Sequence, residues 1–188
     1  MKNWRFVGFD DSFRISSTVS DLKGEKAVIV GCVTSGFYPE GFMVDRIEVD
    51  GDDSTDKMIR MVKRSKFHVQ LKCIFLSGLT FGGFNIADIS RIAEETGIAV
   101  VVVMRKKPDF SSIKHALCSA NLEDRWLLIE KAGEVFNVGE LFIQKAGCTL
   151  EEAKKFIRLS VKDAKIPEPL RLAHMVASAI VHGESKRG

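Results

Sequence analysis

The chain has 188 residues, 45% of them hydrophobic and 28% charged, with a formal net charge of +3. That is the profile of an ordinary globular domain with a continuous core. The weak positive charge permits an anionic partner without requiring one, because a basic footprint needs Lys and Arg gathered on one face. Cys32, Cys73, Cys118 and Cys148 form no CxxC pair. They read as reduced thiols of a cytoplasmic protein, against a zinc site or a disulfide framework. A signal peptide is not expected, and the longest apolar run, Ile98 to Met104, is too short to span a bilayer.

In chain order, Arg5 to Asp10 reads as a first strand and the β-branched run Ala27 to Val33 as a second, buried on both faces. Phe42 to Val49 alternates and reads as a third, entered through Gly36 and Gly41. Ser54 to Ser65 carries Met58, Ile59, Met61 and Val62 at helical spacing, with Asp53 as its expected N-cap. Val69 to Leu76 is a fourth strand. A Gly-rich turn then leads to a helix that Asn85 is expected to cap and Gly97 to end. Ile98 to Met104 follows as an unbroken apolar strand. Beyond Pro108 the pattern predicts a helix near Ser111 to Cys118 and a strand near Val135 to Gln144. A helix over Thr149 to Lys165 is opened by the capping box Thr149-x-x-Glu152, and a last one follows Pro167-Glu168-Pro169. Strand, helix and strand in succession signal a parallel crossover, whereas the first three strands look antiparallel. The expectation is one α/β domain over residues 1–188, a mixed sheet with helices on its faces.

The most informative polar feature is the acid pair Asp10-Asp11 at the end of the first strand. A carboxylate there needs a cation, a donor or water. Alternation along a strand sends the two side chains to opposite faces, so both cannot serve one metal unless the strand bends. One reading makes an aspartate the ligand of a hard cation such as Mg²⁺; the other makes it a turn or cap residue. Asp50-Gly51-Asp52-Asp53 lacks the spacing of a calcium loop and reads as a turn. The Gly78 to Asn85 turn lacks the Lys-[ST] of a P-loop. Arg105-Lys106-Lys107 follows a buried strand at its carboxyl end, where open α/β sheets bind ligands. Lys186-Arg187 reads as a solubilising tail. His68, His115, His174 and His182 show no metal-ligand spacing.

Several stretches together resemble endonuclease V: Phe6-Val7-Gly8-Phe9-Asp10-Asp11-Ser12, Phe37-Tyr38-Pro39-Glu40-Gly41-Phe42, Leu76-Ser77-Gly78, and the ending Gly147 to Ala153 with Ile166 to His174. The GFDDS opening and the Gly78 to Asn85 turn are most similar to its largely archaeal relatives, the domain of unknown function 99. The resemblance implies a ribonuclease H-like fold in which strand-end carboxylates hold Mg²⁺ or Mn²⁺ against a phosphodiester of DNA or RNA. It gives Asp10 the role of first-strand metal ligand, Tyr38 that of a strand-wedging tyrosine, and Lys106 that of an active-site lysine with Lys107 beside it. Three positions depart from the pattern. Ile47 stands where a third-strand glutamate is expected, with Asp45 two residues earlier as the substitute ligand. Ser77 replaces an aspartate, and Cys148 a histidine. Two-metal hydrolysis needs several anionic oxygens. The leading expectation is therefore a nucleic-acid-binding protein with altered or lost metal-dependent endonuclease chemistry. The alternatives are an active enzyme with a rearranged carboxylate set (Asp10, Asp45, Asp50) and a non-enzymatic interaction module.

Overall fold

The computed structural model describes residues 4–14 and 25–185, so Lys186 and Arg187 lie outside the described residues. Strand β1 (Arg5–Ser12) pairs antiparallel with β2 (Lys26–Ser35), which pairs antiparallel with β3 (Tyr38–Glu48). Helix α1 (Ser54–Arg64) leads to β4 (Leu71–Leu76), which lies parallel to β1 on its other side. A short hairpin of β5 (Thr80–Phe81) and β6 (Asn85–Ile86) precedes α2 (Ile89–Thr96). Strand β7 (Ala99–Met104) then runs parallel to β4. After α3 (Phe110–Ser119) and α4 (Trp126–Lys131), β8 (Phe136–Val138) and β9 (Leu141–Ala146) form a hairpin on the β7 side. Helices α5 (Leu150–Ser160) and α6 (Glu168–His182) close the chain. The strand order is β3-β2-β1-β4-β7-β9-β8. This is the mixed sheet that the sequence predicts, with helices on both faces.

Alternation partitions the core. Val7, Phe9, Ile29, Ile74 and Val102 point to the α1 and α2 side and join Met58, Ile59, Val62, Ile89 and Ile92. Phe6, Phe75, Val101 and Ile143 point the other way, against Phe156 and Ile157 of α5 and Leu170 of α6. Val28, Val30 and Cys32 meet Ala173 and Ala177 of α6. The expected β2 is thus buried on both faces, because a strand covered by helix on either side has no solvent face to mark with polar residues.

Some expected boundaries move. The Thr149–Glu152 capping box is present, but α5 ends at Ser160 rather than Lys165. Its buried stripe stops there, and the following Lys162, Asp163 and Lys165 offer nothing to bury. Asp88, not Asn85, caps α2, accepting from the Arg91 amide. Asn85 is fully buried and instead accepts from the Ser54 amide at the start of α1 while donating to Glu48 O and Asp53 Oδ1. The Asp53 carboxylate accordingly faces Asn85 and the Glu48 amide, not the first turn of α1. The Asp50 to Asp53 turn is a latch of this kind as well: Asp50 Oδ1 accepts from Phe84 N, and Arg125 donates to Phe84 O and Asp50 O. Among the described residues, no helix is long and apolar enough to cross a membrane.

Candidate nucleic-acid site

Three parallel strands end side by side. The pairing Phe9↔Leu76↔Val102 leaves Asp10, Ser77 and the segment from Val103 to Arg105 emerging together from β1, β4 and β7. The Ser77 amide donates to Phe9 O, which holds the turn after β4 against β1. Over these ends lies α6, whose start passes so close to β1 that a Cβ on Gly8 would fall 2.5 Å from Leu170 N and Pro169 C. That approach brings His174, one helical turn on, to Asp10: its Nδ1 lies 3.0 Å from Asp10 Oδ2. Asp10, Ser77, Gly78, Arg105, Ile166 and His174 line a cleft of about 350 Å³.

Asp10 is largely buried, and its Oδ1 accepts from the Asp11 amide. The hydrogen bond to Asp10 raises the His174 pKa from its ordinary 6.5, against partial burial and the nearby Arg105. The pair is therefore an aspartate holding an imidazolium over a wider pH range than a free histidine allows. Asp11 points to the opposite face, where its Oδ2 accepts from Gly82 N at 2.9 Å. Burial pushes its carboxyl up from 3.8 to about 6, against the Gly82 bond and with help from the Asp10 charge. Folded Asp11 thus binds its proton more tightly than unfolded Asp11, and stability falls as pH rises from about 4 to about 6. Asp11→Asn keeps an acceptor for Gly82 and removes the charge. It should raise stability by about 3 kcal/mol at pH 7 and change little at pH 4, as read by urea unfolding.

The structure brings only part of the expected set together. Asp45 pairs through Ile29 with Asp11, on the face away from Asp10. Lys57 and Arg60 of α1 occupy its two oxygens at 3.4 and 3.1 Å. Burial works against its charge, yet the Arg46 amide, Arg60 and Lys57 hold its pKa below the ordinary value. Asp45 therefore forms no site with Asp10, contrary to the reading from spacing. The physical reason is a register shift between Val33 and Thr34 that leaves Glu40 as an extra residue in β3. Downstream of that bulge, Val44 shares the row and face of Asp10, while Ile47 is buried in the core. Arg105, not Lys106, lines the cleft; Lys106 and Lys107 are exposed on the loop beyond it. Tyr38 pairs through Ser35 with Arg5, at the far end of β1 from Asp10, a strand distance of roughly 17 Å. It is 66% exposed and packs on Phe37, so it stands clear as a stacking surface. Cys148 is half-buried against the cluster that contains Cys73, where its pKa is raised by burial, and it does not line the cleft. His174 and Arg105 are the residues that spacing alone did not assign.

The donor set bears on the metal that the fold implies. Among the described residues, no three His, Cys, Asp or Glu side chains gather around one point. Among the described residues Asp10 is the one carboxylate lining the cleft, and the Ser77 side chain carries no charge. Such a set does not fit two cations held close together. It fits a single hard cation that completes its shell with water and phosphate oxygen, as Mg²⁺ commonly does.

The fold class is that of endonuclease V. Crystal structures of human endonuclease V (14% identity, TM-score 0.62, covering 96% of this chain and 85% of that one) and of Ciona intestinalis endonuclease V in complex with inosine-containing DNA (15% identity, TM-score 0.61, 94% and 85%) have the same architecture. The family is narrower: the chain belongs to the endonuclease dU family, whose model matches residues 2–181. A UPF0215 protein of Archaeoglobus fulgidus is 50% identical over 99% of this chain and 98% of its own. One from Pyrococcus furiosus is 38% identical over 97% and 95%. A crystal structure of an A. fulgidus protein of unknown function, at 50% identity, superposes with TM-score 0.88 over 96% of this chain and 99% of that one.

Proposed function

We propose that this chain is a nucleic-acid-binding protein that hydrolyses a phosphodiester near deoxyuridine in DNA, with metal chemistry built on one carboxylate instead of several. The observation that carries the reading is the Asp10–His174 pair, 3.0 Å apart, at the mouth of a strand-end cleft that Arg105 also lines. The base follows from the family description, endonuclease dU. The four cysteines, unpaired in the structure, accord with a reducing cytoplasm as its place of work.

Asp10 and Ser77 would hold one Mg²⁺ or Mn²⁺, which when bound supplies Lewis acidity at a phosphate oxygen. The chain's own residues do the rest. Arg105 draws the phosphate into the cleft as a fixed positive charge. Asp10 orients His174 through Nδ1, and among the described residues Nε2 has no partner and is left for the ligand. As water attacks phosphorus and the P–O bond on the opposite side breaks, His174 gives its proton to the departing oxygen; the attacking water releases its proton to solvent, from which His174 is reprotonated. Only the imidazolium can do this. The Asp10 hydrogen bond raises the His174 pKa above its ordinary value, so the charged form persists to higher pH than in a free histidine and is lost beyond it. The cleavage rate should follow that titration on its alkaline side. In His174→Gln that limb should vanish together with about 10²-fold or more of the rate. The direct test is incubation of deoxyuridine-containing and thymidine-containing strands with Mn²⁺ and the purified chain. Cleavage of the first and sparing of the second supports the reading. No binding and no cleavage of either overturns it.

A further inference from the structure

Polar groups continue along α6 beyond the cleft-lining His174. Helix α6 runs alongside the carboxyl-terminal half of β1, and the two share a second polar contact beyond Asp10: Ser12 Oγ lies 3.3 Å from His182 Nε2. Just past β1, Arg14 donates from Nε and Nη2 to Val181 O at 3.2 and 3.1 Å. Both bonds use one edge of the guanidinium, and among the described residues Nη1 has no partner. His174 and His182 are eight residues apart, so they share a face of α6 and are separated by about 12 Å along it. Ser178 lies between them on the same face, half-buried, while His182 and Arg14 are exposed. Apolar packing of α6 against the sheet falls instead on Leu170, Ala173 and Ala177. The helix therefore carries two seams: an apolar one that docks it, and a polar one on which His174 meets Asp10, His182 meets Ser12 and the Val181 carbonyl meets Arg14, while Ser178 Oγ donates to Glu184 O at 3.4 Å.

We infer that this polar seam is the backbone track for the bound strand, with Arg14 and His182 forming a phosphate subsite remote from the one at His174. This rests on the proposed function, since it assigns the path of that substrate. A separation of about 12 Å corresponds to roughly three to four nucleotides at the 3.4 Å rise of a stacked strand. Arg14 contributes a permanent positive charge, and His182 and Ser12 contribute hydrogen-bonding groups. Contacts of this kind fix the register of a strand without reading its bases. The track predicts a requirement for length: a strand too short to reach from His174 to Arg14 loses the second subsite.

The test is oligonucleotide binding by fluorescence anisotropy, from dinucleotide to dodecamer, over a series of salt concentrations, with wild type and with Arg14→Gln, Arg14→Lys and His182→Gln. For the dodecamer, Arg14→Gln should weaken binding about tenfold and lower the slope of log K against log salt by about one. For the dinucleotide neither should change. Arg14→Lys loses the paired bond to Val181 O but keeps the charge, so it should restore the salt slope if the role is phosphate contact. If it fails to restore the slope, or if Arg14→Gln and His182→Gln bind the dodecamer as wild type does, the track is wrong while the cleft reading stands. If wild type binds no oligonucleotide of any length, both fall together.

Discussion

Asp10→Asn should lower the rate of deoxyuridine-strand cleavage by about 10²–10⁴-fold while the protein still binds the strand. The substitution keeps the shape of the side chain, so the Asp11 amide still finds an acceptor. It removes the one cleft-lining carboxylate, and with it the anionic ligand and the partner that holds His174 charged. Two further changes should accompany the loss. The alkaline limb of the pH–rate profile should move to lower pH, because the Asp10 hydrogen bond is the main cause of the raised His174 pKa. Asp11 should ionise more readily, because the Asp10 charge contributes to its elevation. Single-turnover cleavage across a pH series separates these effects from binding. A variant that cleaves at the wild-type rate would remove Asp10 from the chemistry.

Gly8→Ala should be strongly destabilising although it adds a single methyl group. The added Cβ would stand 2.5 Å from Leu170 N and Pro169 C and 2.8 Å from Pro169 O. These are backbone atoms at the entry to α6, held by Pro167 and Pro169, and no side-chain rotation relieves them. Either β1 or α6 must shift, at a cost of about 3 kcal/mol or more. A shift of α6 also parts His174 from Asp10, so activity should fall further than the folded fraction does. Urea unfolding should show a lower midpoint with an unchanged slope. A stability within about 0.5 kcal/mol of wild type would mean that α6 does not lie against β1 as described.

Much of the scaffold is legible in the sequence because it rests on local patterns. The β-branched run of β2, the amphipathic stripe of α1, Gly97 after α2 and the capping box of α5 each follow from near neighbours. Asp10 at the end of β1 is legible for the same reason. The rest of the site depends on long-range geometry. His174 is 164 residues from Asp10, and only the close passage of α6 over Gly8 joins them. No spacing rule carries that information. The misplacement of Asp45 shows how little error is needed: one extra residue at Glu40 reverses the faces of everything downstream in β3, and Lys57 and Arg60 then take the carboxylate. Lys106 and Arg105 differ by a single position in the loop after β7, which sequence cannot resolve but the cleft does. Asn85 was expected to cap the helix after it, and it serves the start of α1, a contact across 31 residues. Its fully buried amide, bonded at both ends, ties two strand-to-helix turns together.

The proposed reading has a nucleic-acid strand meet a single-cation site at Asp10, beside which no second carboxylate among the described residues lines the cleft. The most direct measurement is titration of Mn²⁺, followed by electron paramagnetic resonance, into the chain bound to a deoxyuridine strand with a non-hydrolysable linkage. One bound ion per chain, lost in Asp10→Asn and retained in Asp45→Asn, is the predicted result. Two ions per chain, or a site that survives Asp10→Asn, would contradict it.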